Sequence, residues 1–262
     1  MSVVTLDGGM LHYEVLGRGR PLIFLHGWVG SWRYWIPTMQ AASVGFRAYA
    51  LDLWGFGDTA RNSTLYTIEQ QTKLLDSFMD TMGIGKIALV GHGLGAVIAM
   101  SFAVNNPRLV DRVLLNCLPL SLTSINTRLR MAPIDELVEW LLAHQPTMEA
   151  ARAEAPRADP AALQVSLDGL QSISLQDQMQ AMTTPSLLVY GQNDPAVEFP
   201  PPEILASFPD QSHYVVFEQS GHFPMLDEPS KYNRLLGDFL ALPSGESPRQ
   251  LQLKEEWKRR VR

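Results

Sequence analysis

Gly91, Gly93 and Gly95 stand at alternate positions between a run at 86–90 that reads as a buried strand and a helical pattern at 94–104. In that pattern the apolar positions Leu94, Val97, Ile98 and Phe102 repeat at helical spacing. The chain must therefore pass from strand to helix in one tight turn. Glycines on either side of its apex mark places where neighbouring backbone comes too close for a side chain. A strand that feeds directly into a helix belongs to a layered α/β architecture. A glycine-rich turn of this kind can also hold a dinucleotide phosphate. That motif needs G-x-G-x-x-G, and here Ala96 and Val97 follow Gly95, so the spacing fails.

The rest of the chain repeats the alternation. Strands are expected at 11–15, 22–25, 47–51, 87–90, 113–116, 187–190 and 214–217. Most of these are short continuous apolar runs, the pattern of strands covered on both faces of a parallel sheet. Helices are expected at 68–82, where Leu74, Leu75, Phe78 and Met82 share a side, and at 231–242. The first strand, near Gly17 and Gly19, reads as part of an antiparallel edge hairpin. Residues 119–183 break the alternation: they hold prolines, methionines and alanine-rich helical pieces and no strong strand. Helices are expected there at 134–142 and 163–179, with Pro146, Pro156 and Pro160 punctuating the stretch between. The division that follows is a core of 1–118 and 184–243, a helical insertion of 119–183, and a tail of 244–262.

Composition narrows the functions. With 46% apolar and 18% charged residues among 262, the chain can bury a large core. No apolar stretch approaches the roughly 20 residues of a bilayer span, so no transmembrane segment is expected. The N-terminus lacks a basic start followed by an apolar run, so no cleavable signal is expected. A single cysteine excludes an internal disulfide and fits a cytoplasmic location. Net charge is −6, but residues 249–262 carry six Lys or Arg and two Glu, which leaves the remainder at −10. An acidic body argues against nucleic acid as a partner. In the tail Leu253, Trp257 and Val261 form a narrow apolar stripe, suited to packing on its own domain or to a weak contact with an acidic surface.

Taken in order, several segments resemble the α/β-hydrolase family. Gly91-His92-Gly93-Leu94-Gly95 has the frame of its G-x-S-x-G nucleophile elbow, with Gly93 at the nucleophile position. Phe24-Leu25-His26-Gly27-Trp28 is similar to its oxyanion loop, and Leu51-Asp52-Leu53-Trp54-Gly55-Phe56-Gly57-Asp58 to its D-x-x-G-x-G-x-S segment. Gly191-Gln192-Asn193-Asp194 resembles its acid-bearing turn, and Gly221-His222-Phe223-Pro224 its histidine loop. The motifs span 21 to about 240 in the family's order, nucleophile then acid then histidine.

The resemblance implies an α/β-hydrolase fold, a mostly parallel sheet flanked by helices with a helical cap over the pocket. It places Asp194 as the acid, His222 as the base, and the backbone N–H groups of Trp28 and Leu94 as the oxyanion hole. His26 and His92 are expected to support loops. His12, His144 and His213 show no sequence pattern with Cys or carboxylates that would make a metal site. No metal or organic cofactor is implied. Cys117, at the end of a strand, is read as a small buried hydrophobe rather than a replacement nucleophile. Trp32 and Trp35 are read as core, whereas Trp28 and Trp54 fit either core or an aromatic wall.

Gly93 has no atom with which to attack, so an acyl-enzyme at this position is excluded and ordinary serine-esterase turnover should be absent. Two forms of a hydrolase reading stay open, both directed at an ester, thioester or related carbonyl-bearing small molecule under the cap. In one the chain is an inactivated copy. In the other the Asp194–His222 dyad acts as a general base on water or on a substrate proton. The alternative is a non-catalytic receptor or scaffold that keeps a hydrolase-like pocket.

Overall fold

The computed structural model describes residues 2–251. Eight strands form one sheet: β1 Ser2–Leu6, β2 Gly9–Leu16, β3 Arg20–Leu25, β4 Phe46–Leu51, β5 Ile87–His92, β6 Val110–Asn116, β7 Ser186–Gly191 and β8 Ser212–Phe217. Their spatial order is β1-β2-β4-β3-β5-β6-β7-β8. β1 pairs with β2, and β2 with β4, antiparallel, and every other pairing is parallel. The helices outside the insertion are α1 Ile36–Ala42, α2 Ile68–Met82 and α3 Leu94–Asn105 before it. The insertion carries α4 Thr127–Met131, α5 Ile134–Leu141, α6 Glu149–Glu154, α7 Pro160–Gly169 and α8 Leu175–Gln180. After it come α9 Pro202–Ala206, α10 Pro224–Asp227 and α11 Pro229–Ala241. α1 packs with α11 and α2 with α3, so helices flank the sheet. This is the α/β-hydrolase fold that the motifs imply.

The seven expected strands are all present. β1 is an addition: Ser2 to Thr5 alternate between half-buried and exposed and Leu6 alone is buried, so it offers little to read as a buried strand, and it exists by pairing with β2 at the sheet edge. α2 has the expected bounds, fixed by Thr67, whose side chain accepts from the Gln70 N–H, and by left-handed Gly83 at its end. The helix expected at 163–179 is corrected. It is two helices, α7 beginning at Pro160 behind an Asp159 cap, and α8 behind a Ser174 cap, joined by a 3-10 turn at Leu170–Ser172. Apolar periodicity runs through this stretch, but Gly169 and the capping serine break the backbone ladder.

Parallel register decides where the site forms. Leu25 pairs with Gly91, His92 with Asn116, Asn116 with Val189, and Gly191 with Phe217. The C-terminal ends of β3, β5, β6, β7 and β8 therefore line up, and the loops that leave them share one rim. The insertion rests on that rim: the Asp159 N–H donates to the Gly55 carbonyl at 2.7 Å, Arg33 pairs with Glu154 at 3.0 Å, and Arg157 pairs with Asp58. Among the described residues no helix is long and apolar enough to cross a membrane. Residue 251 is the last one described, so the apolar stripe expected at Leu253, Trp257 and Val261 lies outside the described residues.

Candidate active site

β5 is buried along its whole length, between β3 and β6, and Gly93 joins it to α3. A Cβ on Gly91 would lie 2.3 Å from the Gly95 carbonyl oxygen, and one on Gly95 would lie 2.3 Å from that of Leu25. The flanking glycines are therefore required by contact. Gly93 itself sits at φ 51° and ψ −110°, a conformation that costs a residue with Cβ about 1–3 kcal/mol. The turn thus has the shape of a nucleophile elbow although its apex carries no side chain. A Cβ built there would meet the Trp28 ring at 3.2 and 3.3 Å.

His222 and Asp194 come together on the same rim. His222 Nδ1 lies 2.9 Å from Asp194 Oδ2, with both side chains almost fully buried. The other carboxylate oxygen, Oδ1, accepts from the backbone N–H groups of Ala196 at 2.8 Å and Val197 at 3.2 Å. Burial pushes the Asp194 carboxyl up, but the neighbouring His222 and these hydrogen bonds outweigh it and hold the group below the usual carboxylate range. Asp194 is thus fixed as an anion against one imidazole nitrogen, which sets that ring's orientation and tautomer. The His222 ring centroid is 4.7 Å from that of His92, the residue that precedes Gly93. The pair therefore stands beside the elbow.

The loop after β3 supplies the third side. The N–H groups of Trp28 and Leu94 donate to no acceptor among the described residues, and Leu94 opens α3, where the helix dipole adds positive potential. The Trp28 ring is fully buried, and its Nε1 donates to Ser166 Oγ of α7 at 3.0 Å. Trp54 is buried as well, and Trp32 and Trp35 are core as expected. His26 donates from Nδ1 to the Gly27 carbonyl at 2.8 Å and accepts at Nε2 from the Leu53 N–H at 3.0 Å, which ties the loop to the end of β4. Burial lowers the His26 pKa and keeps the ring neutral for that dual role.

Other expected placements divide. Cys117 follows β6 in a left-handed conformation, φ 48°, fully buried, with Sγ 3.4 Å from the His222 carbonyl oxygen. Burial pushes its thiol well above the ordinary range, which does not suit a nucleophile. His12 has a carboxylate partner that no sequence pattern shows, with Nδ1 2.9 Å from Asp52 Oδ2. Asp52 also accepts from the N–H groups of Trp32 and Asp58, so it organises two loops at once. The sequence could not show this because His12 is 40 residues from Asp52 and lies on an adjacent strand. Tyr34 and Asn116 belong to none of the motifs yet hold the site together. Asn116 Nδ2 donates to the Gly91 carbonyl at 2.8 Å, and Tyr34 contacts both Gly27 and His92. Only the aromatic run at 32–35 hinted at Tyr34, and it reads equally as core.

Among the described residues two side-chain groups have a spacing that could hold a metal ion, His92 with Cys117 and His222, and His12 with Asp52 and Asp58. In the first, both nitrogens of His92 and Nδ1 of His222 already have protein partners. In the second, His12 Nδ1 and Asp52 Oδ2 are engaged with each other. A cavity of about 680 Å³ lies on the insertion among Asp135, Glu139, His144, Gln145, Glu149 and Arg152, and Gly93, Asp194 and His222 are not part of its wall.

Comparison with known proteins identifies the family and the fold. A family model described as "Alpha/beta hydrolase family" matches residues 22–235. The chain is 32% identical over 108 residues to a soluble epoxide hydrolase of Corynebacterium sp. (strain C12), a match that spans 41% of this chain and 38% of that protein. It is 24% identical over 256 residues to a pimeloyl-[acyl-carrier protein] methyl ester esterase of Vibrio campbellii, covering 88% of this chain and 98% of that one. The crystal structure of an enol-lactonase from Burkholderia xenovorans LB400 superposes with a TM-score of 0.78 at 21% identity, over 92% of this chain and all of that one, coverage 100%.

Proposed function

This protein belongs to the alpha/beta hydrolase family, and from that premise we propose that its rim site acts on an ester, thioester or related carbonyl-bearing small molecule, with His222 as general base and Asp194 orienting it. The observation that carries this reading is the buried 2.9 Å contact between His222 Nδ1 and Asp194 Oδ2 beside an elbow whose backbone keeps the strained geometry. Nε2 of His222 is then the nitrogen left to take a proton from water or from substrate. The N–H groups of Trp28 and Leu94 supply the oxyanion hole, and the insertion 119–183 serves as a cap that excludes water. Gly93 stands at the nucleophile position, so the reaction has no acyl-enzyme there, and the rate is limited to what a base and a hole provide, about 10³ to 10⁴ over water. Relatives and solved neighbours named as esterases and an enol-lactonase support the carbonyl-directed reading.

One observation favours a second reading, a receptor that binds a carbonyl compound without turnover. The Trp28 ring occupies the side of Gly93 where an attacking group would project, and α7 anchors it there through Ser166. An assay of the chain and its His222→Ala variant on short aryl esters and thioesters separates the two. The catalytic reading expects slow, burst-free turnover that His222→Ala removes. Saturable binding with no His222-dependent turnover would establish the receptor.

A further inference from the structure

Three loops of the rim are joined by one chain of buried hydrogen bonds whose direction is fixed by chemistry. The Gly27 N–H donates to Tyr34 Oη at 2.6 Å, Tyr34 Oη lies 2.9 Å from His92 Nδ1, and His92 Nε2 lies 2.8 Å from the His222 carbonyl oxygen. A carbonyl oxygen only accepts, so His92 must carry its proton on Nε2. Neutral His92 then has a bare Nδ1, and the Tyr34 hydroxyl, already accepting from Gly27, has its single proton free to donate to it. Every partner is satisfied in this direction. A second proton on His92 would leave the tyrosine hydroxyl without an acceptor.

We propose that Tyr34 and His92 are positioning residues that lock the loop of the oxyanion hole to the backbone of the catalytic imidazole, so that hole and base keep one separation. This rests on the reading of His222 as the base. The contacts around the relay fit a rigid spacer. A Cβ on Gly27 would lie 2.8 Å from His92 Nδ1, so the loop approaches the ring as closely as glycine allows. Phe223, next to His222, packs edge-on against Tyr34 at 5.6 Å and tilted against His92 at 4.8 Å. Cys117 Sγ is a second donor to the same His222 oxygen. Burial lowers the His92 pKa well below the ordinary value and raises that of Tyr34 well above it, so both stay neutral as the relay requires. His92 is thereby excluded as a base, since neither of its nitrogens faces a reacting group.

The test uses the full chain labelled with ¹⁵N-histidine. In the unsubstituted protein His92 should show a pyridine-type Nδ1 and a pyrrole-type Nε2 that stay unchanged through the ordinary imidazole titration range. Tyr34→Phe should change these signals and shift the Nδ1 proton of His222. In a Gly93→Ser background, Tyr34→Phe should lower kcat on an aryl ester by about 10- to 100-fold, with KM within about twofold. His92→Gln, which keeps a donor, should lose less than His92→Ala. The proposal is overturned if His92 carries its proton on Nδ1, or if Tyr34→Phe lowers Tm while leaving the His222 signals and kcat in place. Should the Gly93→Ser protein turn over no ester, the functional reading fails, and the tautomer together with the His222 shift alone decides the relay. If Tyr34→Phe does not fold, His92→Gln against His92→Ala gives the same decision.

Discussion

The two ends of the central strands use polar groups for opposite purposes. At the N-terminal end, buried Arg112 donates to the Phe239 and Pro243 carbonyls and pairs with Asp111, which also meets Lys86 and Ser244. The Arg112 contacts tie β6 to the end of α11, and the left-handed backbone at this end is carried by glycines such as Gly19 and Gly245. At the C-terminal end, Gly93 and Cys117 hold positive φ, at 51° and 48°, and the polar groups converge on one imidazole. Among the described residues Cys117 is the non-glycine residue at positive φ, and such a conformation persists only when surrounding contacts determine it. The rim keeps this investment although its apex is glycine, which would allow a relaxed turn.

Substitutions at the two ends should separate rate from stability. The largest effect is expected from Gly93→Ser, which places a hydroxyl at an elbow already formed. Ester hydrolysis should rise by about 10³-fold or more over the unsubstituted chain, since removing a nucleophile of this type costs on the order of 10⁶. The same change should lower stability by about 1–3 kcal/mol through positive φ and the nearby Trp28 ring, read by thermal unfolding. Next, Asp194→Asn in that background should cut kcat by about 10⁴ while the fold survives, because the imidazole loses its oriented tautomer. At the far end the pattern reverses: Arg112→Ala should lower unfolding free energy by about 3 kcal/mol and leave kcat per folded molecule unchanged.

The smallest effect concerns pH. Burial pushes the Asp111 carboxyl up, yet Ser244, Arg112 and Lys86 together bring it down to about 2. A carboxylate depressed in the folded state adds stability that is fully present above its unfolded value of about 4, and that is lost as pH falls from there to about 2. Asp111→Asn should therefore flatten the acid limb of the stability curve within that window and change little at neutral pH. An unchanged acid limb would show that the far-end cluster is not a stability device.

Much of this contrast is legible in the sequence, and what is not has a physical cause. Buried parallel strands announce themselves as apolar runs, and the motif residues Gly93, Asp194 and His222 fall at strand ends because parallel register aligns those ends. β1 is invisible to that reading because one of its faces is open and its pairing with β2 makes it a strand. The break between α7 and α8 is a local contest between apolar periodicity and Gly169 with the Ser174 cap, and periodicity alone points the wrong way. Tyr34 and Asp52 act through partners 58 and 40 residues away, a distance that no local pattern encodes.

The central claim, a live base facing an elbow that lacks only its side chain, is tested most directly by covalent capture. The Gly93→Ser protein is exposed to an alkyl fluorophosphonate and the adduct is located by mass spectrometry, with and without His222→Ala. Stoichiometric labelling at position 93 that His222→Ala abolishes is the expected result. No adduct at that position in a folded protein, or one formed equally well without His222, would contradict the account.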